Sequence, residues 1–480
     1  MSPKKPVRTR IAPSPTGQMH VGTLRTALYN YAYAMQNQGQ FILRIEDTDQ
    51  KRLVADSQEN ILNILKTFKL SYDEGPIVGG SHGPYIQTQR LKIYQKYIQK
   101  LLDKGLVYYC FCTADRLEKM RQNQKTKHQK PHYDRHCLSL TDKQIQKKLK
   151  SGHPFVIRLK VPDNKDIIGQ DLIRGQISIN SAEVDDQVLI KSDGIPTYHF
   201  AVVVDDHLMK ISHVIRGDEW ISSLPKQILL YQYFGWKPPI FVHLPVFLDP
   251  DGKGKMSKRR GSVSVQSFLD QGYIPVALLN YLMLLGWNPG TDREIFSLKQ
   301  FVTDFNLKKV HKTQPVFDSR KLDYINGYYV RHLSSSKIAH LLAPFIPKLN
   351  PAIIKQIAPV LKERITKLTD AIPLTEFLYQ DVDYSSQLLF QRGADKDLII
   401  DMLSKSQQAL KDCDHWHFQL IQMILTDLIA KNKWNTGQFF MILRVAICGA
   451  PRTLPVVECL PHLGQEKTLH KLSLAIEKLN

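Results

Sequence analysis

Two stretches of this chain combine residue types that phosphate chemistry requires. The first is Arg10-Ile-Ala-Pro-Ser-Pro-Thr-Gly-Gln-Met-His-Val-Gly-Thr23. Gly17 and Gly22 let backbone approach a nucleotide closely, and a helix starting there offers free N–H groups to phosphate. His20 beside that start can donate to phosphate oxygens as their charge grows. The second is Lys255-Met256-Ser257-Lys258-Arg259, set among Gly252, Gly254 and Gly261. Three cations on a glycine-flanked loop suit a leaving pyrophosphate. A Gly-x4-Gly-Lys-Ser/Thr loop is absent, which excludes the P-loop enzymes. Alone, the His-x-Gly triplet of the first stretch reads more readily as a Pro/Gly turn with a surface His, and the second stretch as a common Lys-rich loop. Their joint presence in this order points to nucleotide chemistry.

Elements must bring these stretches together. Val7 to Ala12 is a plausible strand, Gly22 to Gln38 reads as a helix closed by Gly39, and Phe41 to Ile45 reads as a buried strand. Strand, Pro/Gly loop, helix and strand form the unit of a nucleotide-binding parallel sheet. Later, Tyr198 to Val204 and Ile211 to Ile215 are strand-like, and Leu224 to Tyr233 is helix-like. The Lys/Gln-rich stretch 94–190 differs in texture, carries three cysteines and includes a β-like Phe155 to Val161. It reads as an insertion splitting the sheet. After Gly252 the chain turns helical, and from Ser334 it is nearly all helix. The fold expected is α/β: a Rossmann-like parallel nucleotide-binding sheet split by an α+β insertion, followed by mainly α-helical C-terminal domains.

Composition agrees with a globular chain that has a polyanionic partner. Over 480 residues, Lys and Arg number 65 against 45 Asp and Glu, a net charge of +20. A solvated basic surface or an anionic membrane would give the same excess. The most apolar run, Val276 to Trp287, is broken by Asn280 and falls short of the roughly 20 residues of a membrane span. Met1 to Arg10 is basic but is not followed by an apolar core, so no export signal is expected. Six cysteines are too sparse for a disulfide scaffold. A cytoplasmic protein is expected, and a monomer, since no coiled-coil heptads appear.

His20-Val21-Gly22-Thr23 resembles the His-Ile-Gly-His signature of class I aminoacyl-tRNA synthetases, and Lys255 to Arg259 resembles their Lys-Met-Ser-Lys-Ser loop. Val21, Thr23 and Arg259 depart from those patterns. Longer matches are similar to the bacterial-type glutamyl-tRNA synthetases. These are Pro13 to Gly17, Leu43-Arg-Ile-Glu-Asp-Thr-Asp49, Asp73 to Pro76, Gly83 to Tyr85, Pro196 to Asp206 and His213 to Asp218. Gly272 to Pro289 and Val316 to Leu322 continue the series, and Leu443 to Gly449 with Leu463-Gly464 resembles the helical anticodon-binding region. The resemblance implies a catalytic domain over 1–93 and 191–250 and an acceptor-end-binding insertion over 94–190. A helical stem-contact domain over 251–333 and an anticodon-binding region over 334–480 complete it.

What it implies chemically is ATP-dependent activation of L-glutamate, with Mg²⁺ accompanying ATP, followed by transfer to the 3′ adenosine of tRNA-Glu. ATP would be held by Thr16, Gly17, His20, Gly22, Thr23, Lys255, Met256, Ser257, Lys258 and Arg259, with His20 on the phosphates and Lys258 on the pyrophosphate side. A side-chain carboxylate calls for arginine, whose planar fork binds bidentately. Arg10 and Arg216 are the candidates. Ser14, Glu46 and Tyr198 complete the implied glutamate pocket, with Glu46 suited to the ammonium. Read bare, Arg216 is a salt bridge to Asp218 or Asp205, and Tyr198 is core.

Cys110-Phe-Cys112, Tyr133 and Cys137 leave two readings open. Some members of the family bind zinc with a Cys-x-Cys pair, a later Cys and a His or Tyr, and three thiolates plus one donor would satisfy a tetrahedral ion. Ser139 stands where a His would be expected, so Tyr133 or His136 would have to serve. The other reading is three reduced cysteines without metal. Cys413, Cys448 and Cys459 read as ordinary buried residues. Three rivals fit less well. The helical region after Ser334 argues against a shortened enzyme that modifies a tRNA base. Intact His20, Gly22 and Lys258 argue against an inactive tRNA-binding paralogue, and length argues against a cofactor adenylyltransferase. Whether tRNA-Gln is also charged, and whether activation needs bound tRNA, stay open.

Overall fold

The computed structural model describes residues 6–256 and 263–480, so the expectations placed on Ser257, Lys258 and Arg259 lie outside the described residues. The chain divides into two compact units, residues 1–268 with 279–319, and residues 269–278 with 320–480.

In the first unit, β1 (Arg8–Ile11) is buried throughout and leads to α1 (Val21–Gln36) and then β2 (Gln40–Leu43). The strands pair parallel, from Arg8↔Gln40 to Ile11↔Leu43. The turn between α1 and β2 is tight, because Gly39 N–H donates to Ala34 O at 2.8 Å and a Cβ at Gly39 would run into the Val7 carbonyl. Only glycine fits that approach. The opening element order expected from sequence is therefore present.

The middle of the unit holds β3 (Val107–Cys110), β4 (Val156–Leu159), β5 (Asp166–Asp171), β6 (Gly175–Asn180) and β7 (Val188–Ile190). Strands β3, β4 and β7 form an antiparallel sheet in the order β3-β4-β7. Strands β5 and β6 instead form a hairpin that joins β8 (His213–Gly217) and β9 (Ile240–Leu244) in a sheet ordered β6-β5-β9-β8. β8 and β9 run parallel, with Arg216 opposite His243. Ser212 N–H donates to Arg8 O at 2.9 Å, which sets the start of β8 beside β1.

Helices α2 (Tyr198–Leu208) and α3 (Leu224–Phe234) complete what the site needs. The strand-like reading of Tyr198 to Val204 is overturned. Phe200 to Asp206 are buried on every side of a helix, so the apolar run carries no amphipathic period. The strand expected at Ile211 to Ile215 and the helix at Leu224 to Tyr233 are present, shifted by one or two residues.

The second unit is helical among its described residues. In the helix Lys396–Lys411 the buried side chains Ile399, Met402, Leu403, Ser406 and Leu410 fall at helical spacing along one stripe. It packs beside Gln465–Glu477, where Gln465 Nε2 donates to Leu410 O at 2.9 Å. Among the described residues no helix is long and apolar enough to cross a membrane.

Candidate active site

A cavity of about 630 Å³ opens at the ends of β1 and β8, lined by Arg10, Ser14, His20, Gly22, Thr23, Glu46, Tyr198, Arg216, Lys255 and Met256 among others. Residues from five separated stretches thus meet in one space. Thr16 and Gly17 do not line it. Gly17 N–H donates to Ser57 Oγ at 3.0 Å and Ser57 Oγ donates back to Gly17 O at 2.6 Å. With φ at 129°, Gly17 serves the turn geometry.

The expectation of free N–H groups at the start of α1 is corrected by the structure. Val21 N–H donates to Val263 O at 3.0 Å, Gly22 N–H to His20 Nδ1 at 2.9 Å and Thr23 N–H to His20 O at 2.9 Å. His20 is the N-cap, a role that competes with phosphate for the same donors. Because Nδ1 accepts, the neutral ring carries its proton on Nε2, the nitrogen that can donate to an oxyanion.

Around the amino-acid end of the cavity, buried charges are closely matched. Arg44 Nη1 lies 2.7 Å from Asp206 Oδ1, and its Nη2 lies 2.8 Å from Glu46 Oε1. Arg10 Nε contacts Asp206 Oδ1 at 3.2 Å, and Arg90 Nε contacts Asp205 Oδ1 at 2.7 Å. Burial pushes the Glu46 carboxyl up, against the pull of Arg44. Burial acts the same way on Asp206, but Arg10 and Arg44 outweigh it and hold that carboxyl below its ordinary range.

Arg216 differs. It is 5% exposed, and its hydrogen-bond partners among the described residues are neutral: His243 Nε2 at 3.0 Å, Tyr198 Oη at 3.1 Å and Trp220 O at 3.4 Å. The salt bridge to Asp218 or Asp205 does not form, because Asp218 pairs with Arg174 at 2.7 Å and Asp205 with Arg90. Tyr198 opens α2, lines the cavity and packs against Trp220 with ring centroids 4.3 Å apart. Lys255 is exposed, with Nζ 3.7 Å from Glu219 Oε1, whereas Met256 is buried and its N–H donates to Phe247 O at 2.9 Å.

Sequence reasoning missed Asp206, His243 and Trp220 as parts of this site. Asp206 and Trp220 sat inside or beside matched motifs, but His243 had no local signal, since its partner lies on the neighbouring strand.

A second cluster forms where β3 ends. The sulfurs of Cys110, Cys112 and Cys137 lie within 4.8 Å of one another. Tyr133 Oη stands 3.3 Å from Cys110 Sγ and 3.3 Å from Cys112 Sγ, while Cys112 and Cys137 sulfurs are 3.5 Å apart. A hydrogen bond from the Cys137 thiol holds the Cys110 thiol below its usual range against burial. His136 is exposed and outside this group, so of the two fourth donors considered, Tyr133 is the one placed with the sulfurs.

Parallel strands beside this cavity, a His-capped first helix and a helical second unit fit a class I tRNA synthetase, and similarity to known proteins places the chain in that class. Residues 6–324 match the family described as tRNA synthetases class I (E and Q), catalytic domain, and residues 337–476 match the anticodon binding domain family. A glutamate–tRNA ligase of Clostridium botulinum is 41% identical over 478 residues, covering 98% of each chain. One from Borreliella afzelii is 38% identical over 485 residues, covering 98% of this chain and 99% of that protein. The crystal structure of a glutamate tRNA ligase from Elizabethkingia meningosepticum in complex with its amino acid is similar at a TM-score of 0.86. It is 33% identical and covers 99% of this chain and 100% of that one. The chain belongs to the glutamate–tRNA ligase family of class I tRNA synthetases.

Proposed function

We infer that this chain activates L-glutamate with ATP and transfers it to the 3′-terminal adenosine of tRNA-Glu. The observation that carries the reading is Arg216, a buried guanidinium on the cavity whose partners are neutral. A buried cation without a counter-charge is costly, so the site favours an anionic ligand. The second carboxylate of glutamate supplies one.

The α-carboxylate oxygen of glutamate attacks the α-phosphorus of ATP in line, and the bond to pyrophosphate breaks. A hydroxyl of the terminal adenosine then attacks the acyl carbon, and AMP leaves. Neither step needs a covalent enzyme intermediate, so positioning and charge stabilisation supply the rate. Arg216, Tyr198 and Arg10 receive the side-chain carboxylate, Glu46 the ammonium, and Ser14 completes the pocket. His20, through its Nε2 proton, serves the phosphates, with Gly22 and Thr23 lining the cavity beside it and Thr16 and Gly17 shaping the loop that leads to it. Lys255, Met256, Ser257, Lys258 and Arg259 serve ATP and the departing pyrophosphate. Mg²⁺ bound to ATP would supply further neutralisation of the phosphate charge.

Residues 94–190 take the acceptor end, 251–333 the stem and 334–480 the anticodon. A monomer working in the cytoplasm completes the reading. Cys110, Cys112, Cys137 and Tyr133 are assigned to a structural zinc, because three clustered thiols supply soft sulfur donors and the phenol oxygen beside them supplies a fourth, harder one. Elemental analysis of protein purified without chelator should find about one zinc per chain, lost in Cys137→Ser. A metal-free, fully active protein removes that assignment.

The central test is aminoacylation with radiolabelled glutamate, ATP and Mg²⁺ on tRNA-Glu and tRNA-Gln separately. Charging of tRNA-Glu that collapses in Lys258→Ala is expected. Charging of tRNA-Gln as well would make the enzyme non-discriminating. A folded protein that binds both tRNAs and charges neither overturns the reading in favour of an inactive paralogue.

A further inference from the structure

Arg216 and His243 face each other across the parallel pair β8 and β9, so both side chains leave the same face of the sheet. Arg216 Nε donates to His243 Nε2 at 3.0 Å. That bond requires a bare Nε2 and places the ring proton on Nδ1, 2.8 Å from Asp171 Oδ2. Both the His243 and Asp171 side chains are wholly buried. Asp171 is itself fixed by backbone donors: its Oδ2 accepts from His243 N–H at 2.9 Å, and its Oδ1 from Ile173 N–H at 2.9 Å and Arg174 N–H at 2.7 Å. Each oxygen receives two donors, so an amide, with one NH₂ of its own, cannot replace the carboxylate in either orientation.

Resting on the reading that Arg216 binds the glutamate side chain, we propose that Asp171 and His243 are positioning residues for that arginine. Asp171 holds His243 in the Nδ1–H tautomer, and His243 Nε2 then fixes the guanidinium plane by its Nε edge. This leaves Nη1, 3.1 Å from Tyr198 Oη, on the cavity side to meet a carboxylate. A histidine between the two charges matters physically. A carboxylate in direct contact, as Asp206 is with Arg10, would compete with substrate for the same donors. At one imidazole's remove Asp171 orients the cation and balances part of its charge without taking its binding edge. Burial lowers the His243 ring below its ordinary range, and despite burial the His243 hydrogen bond and the Ile173 and Arg174 amides hold the Asp171 carboxyl below its own. Both shifts agree with an ionised Asp171 beside a neutral ring.

The test uses a pair differing by one methylene, in the full-length enzyme. In His243→Asn the amide can reach Asp171 but ends short of Arg216, whereas in His243→Gln the side-chain oxygen can occupy the place of Nε2. Steady-state aminoacylation of tRNA-Glu is measured with glutamate and ATP varied separately, beside Arg216→Gln. His243→Asn should raise KM for glutamate about ten- to hundredfold, as loss of one hydrogen bond to a charged group predicts, with KM for ATP within about twofold. His243→Gln should recover most of the loss. Asp171→Asn should repeat the His243→Asn pattern. Equal damage in the Asn and Gln variants, or damage falling equally on ATP and glutamate, overturns the positioning role and leaves Arg216 as a binder if Arg216→Gln still raises KM for glutamate. An Arg216→Gln enzyme with unchanged glutamate KM overturns both.

Discussion

Next to the cavity, Arg10, Arg44 and Arg90 meet Asp205, Asp206 and Glu46 at 2.7 to 3.7 Å, so cations and carboxylates are interleaved. On β8, Arg216 is as deeply buried but meets an imidazole, a phenol and a carbonyl. The two regions share residue types and depth and differ in whether the charge is already matched. A matched network carries its own counter-charges before substrate enters and sets the shape in which Arg10 and Glu46 meet it. An unmatched cation is complete only when an anion enters, and its surroundings must hold it ready without neutralising it. Counting buried arginines would not separate the two; asking what each one lacks does.

Substitutions that exchange the two behaviours test the contrast. The largest effect is expected from Arg216→Gln, which should lower kcat/KM for glutamate by about a hundred- to a thousandfold while leaving the melting temperature unchanged or raised, because it removes an unmatched buried charge. A large fall in melting temperature would show that Arg216 belongs to the scaffold. Asp206→Asn should do the opposite. It leaves Arg10 and Arg44 partly uncompensated and should cost about 3 kcal/mol in urea unfolding. The folded carboxyl lies below its unfolded value, so its stabilisation is complete above the ordinary carboxylate range and is lost as pH falls through the folded value. The variant should therefore lose less stability than the parent on acidification, and equal slopes would contradict the pairing. Smallest is Tyr198→Phe, which removes one neutral acceptor from Arg216. KM for glutamate should rise about fivefold with stability unmoved. No change at all would place the phenol outside the binding geometry.

Much of this was legible in sequence, for reasons that differ by residue. The β1, α1, β2 opening was legible because Gly39 and the buried strands carry strong local signals. Arg10, Ser14, His20, Glu46, Tyr198 and Arg216 were named from motifs, and the fold brings them to one cavity. α2 was misread as a strand because a helix buried on all sides has no polar stripe to set its period. The occupied N–H groups of α1 were invisible because one acceptor, Val263, lies more than 200 residues along the chain. His243 and Asp171 were missed for the same kind of reason: each acts through a strand register that no single segment encodes.

The hairpin of β5 and β6 has a consequence for anyone who would remodel this enzyme. The stretch 94–190, which the sequence marks as an insertion, supplies two strands to the sheet that holds β8 and β9, with Asp171 paired to Phe241 on β9. Such an insert is not a detachable cassette. Excising it whole would leave β9 with a bare, unsatisfied edge and would remove Asp171 along with it. A graft or deletion that respects the architecture would cut inside that stretch, taking β3, β4 and β7 on either side of the hairpin and sparing β5 and β6. The seam between host and guest therefore runs through the middle of the inserted sequence and not along its ends.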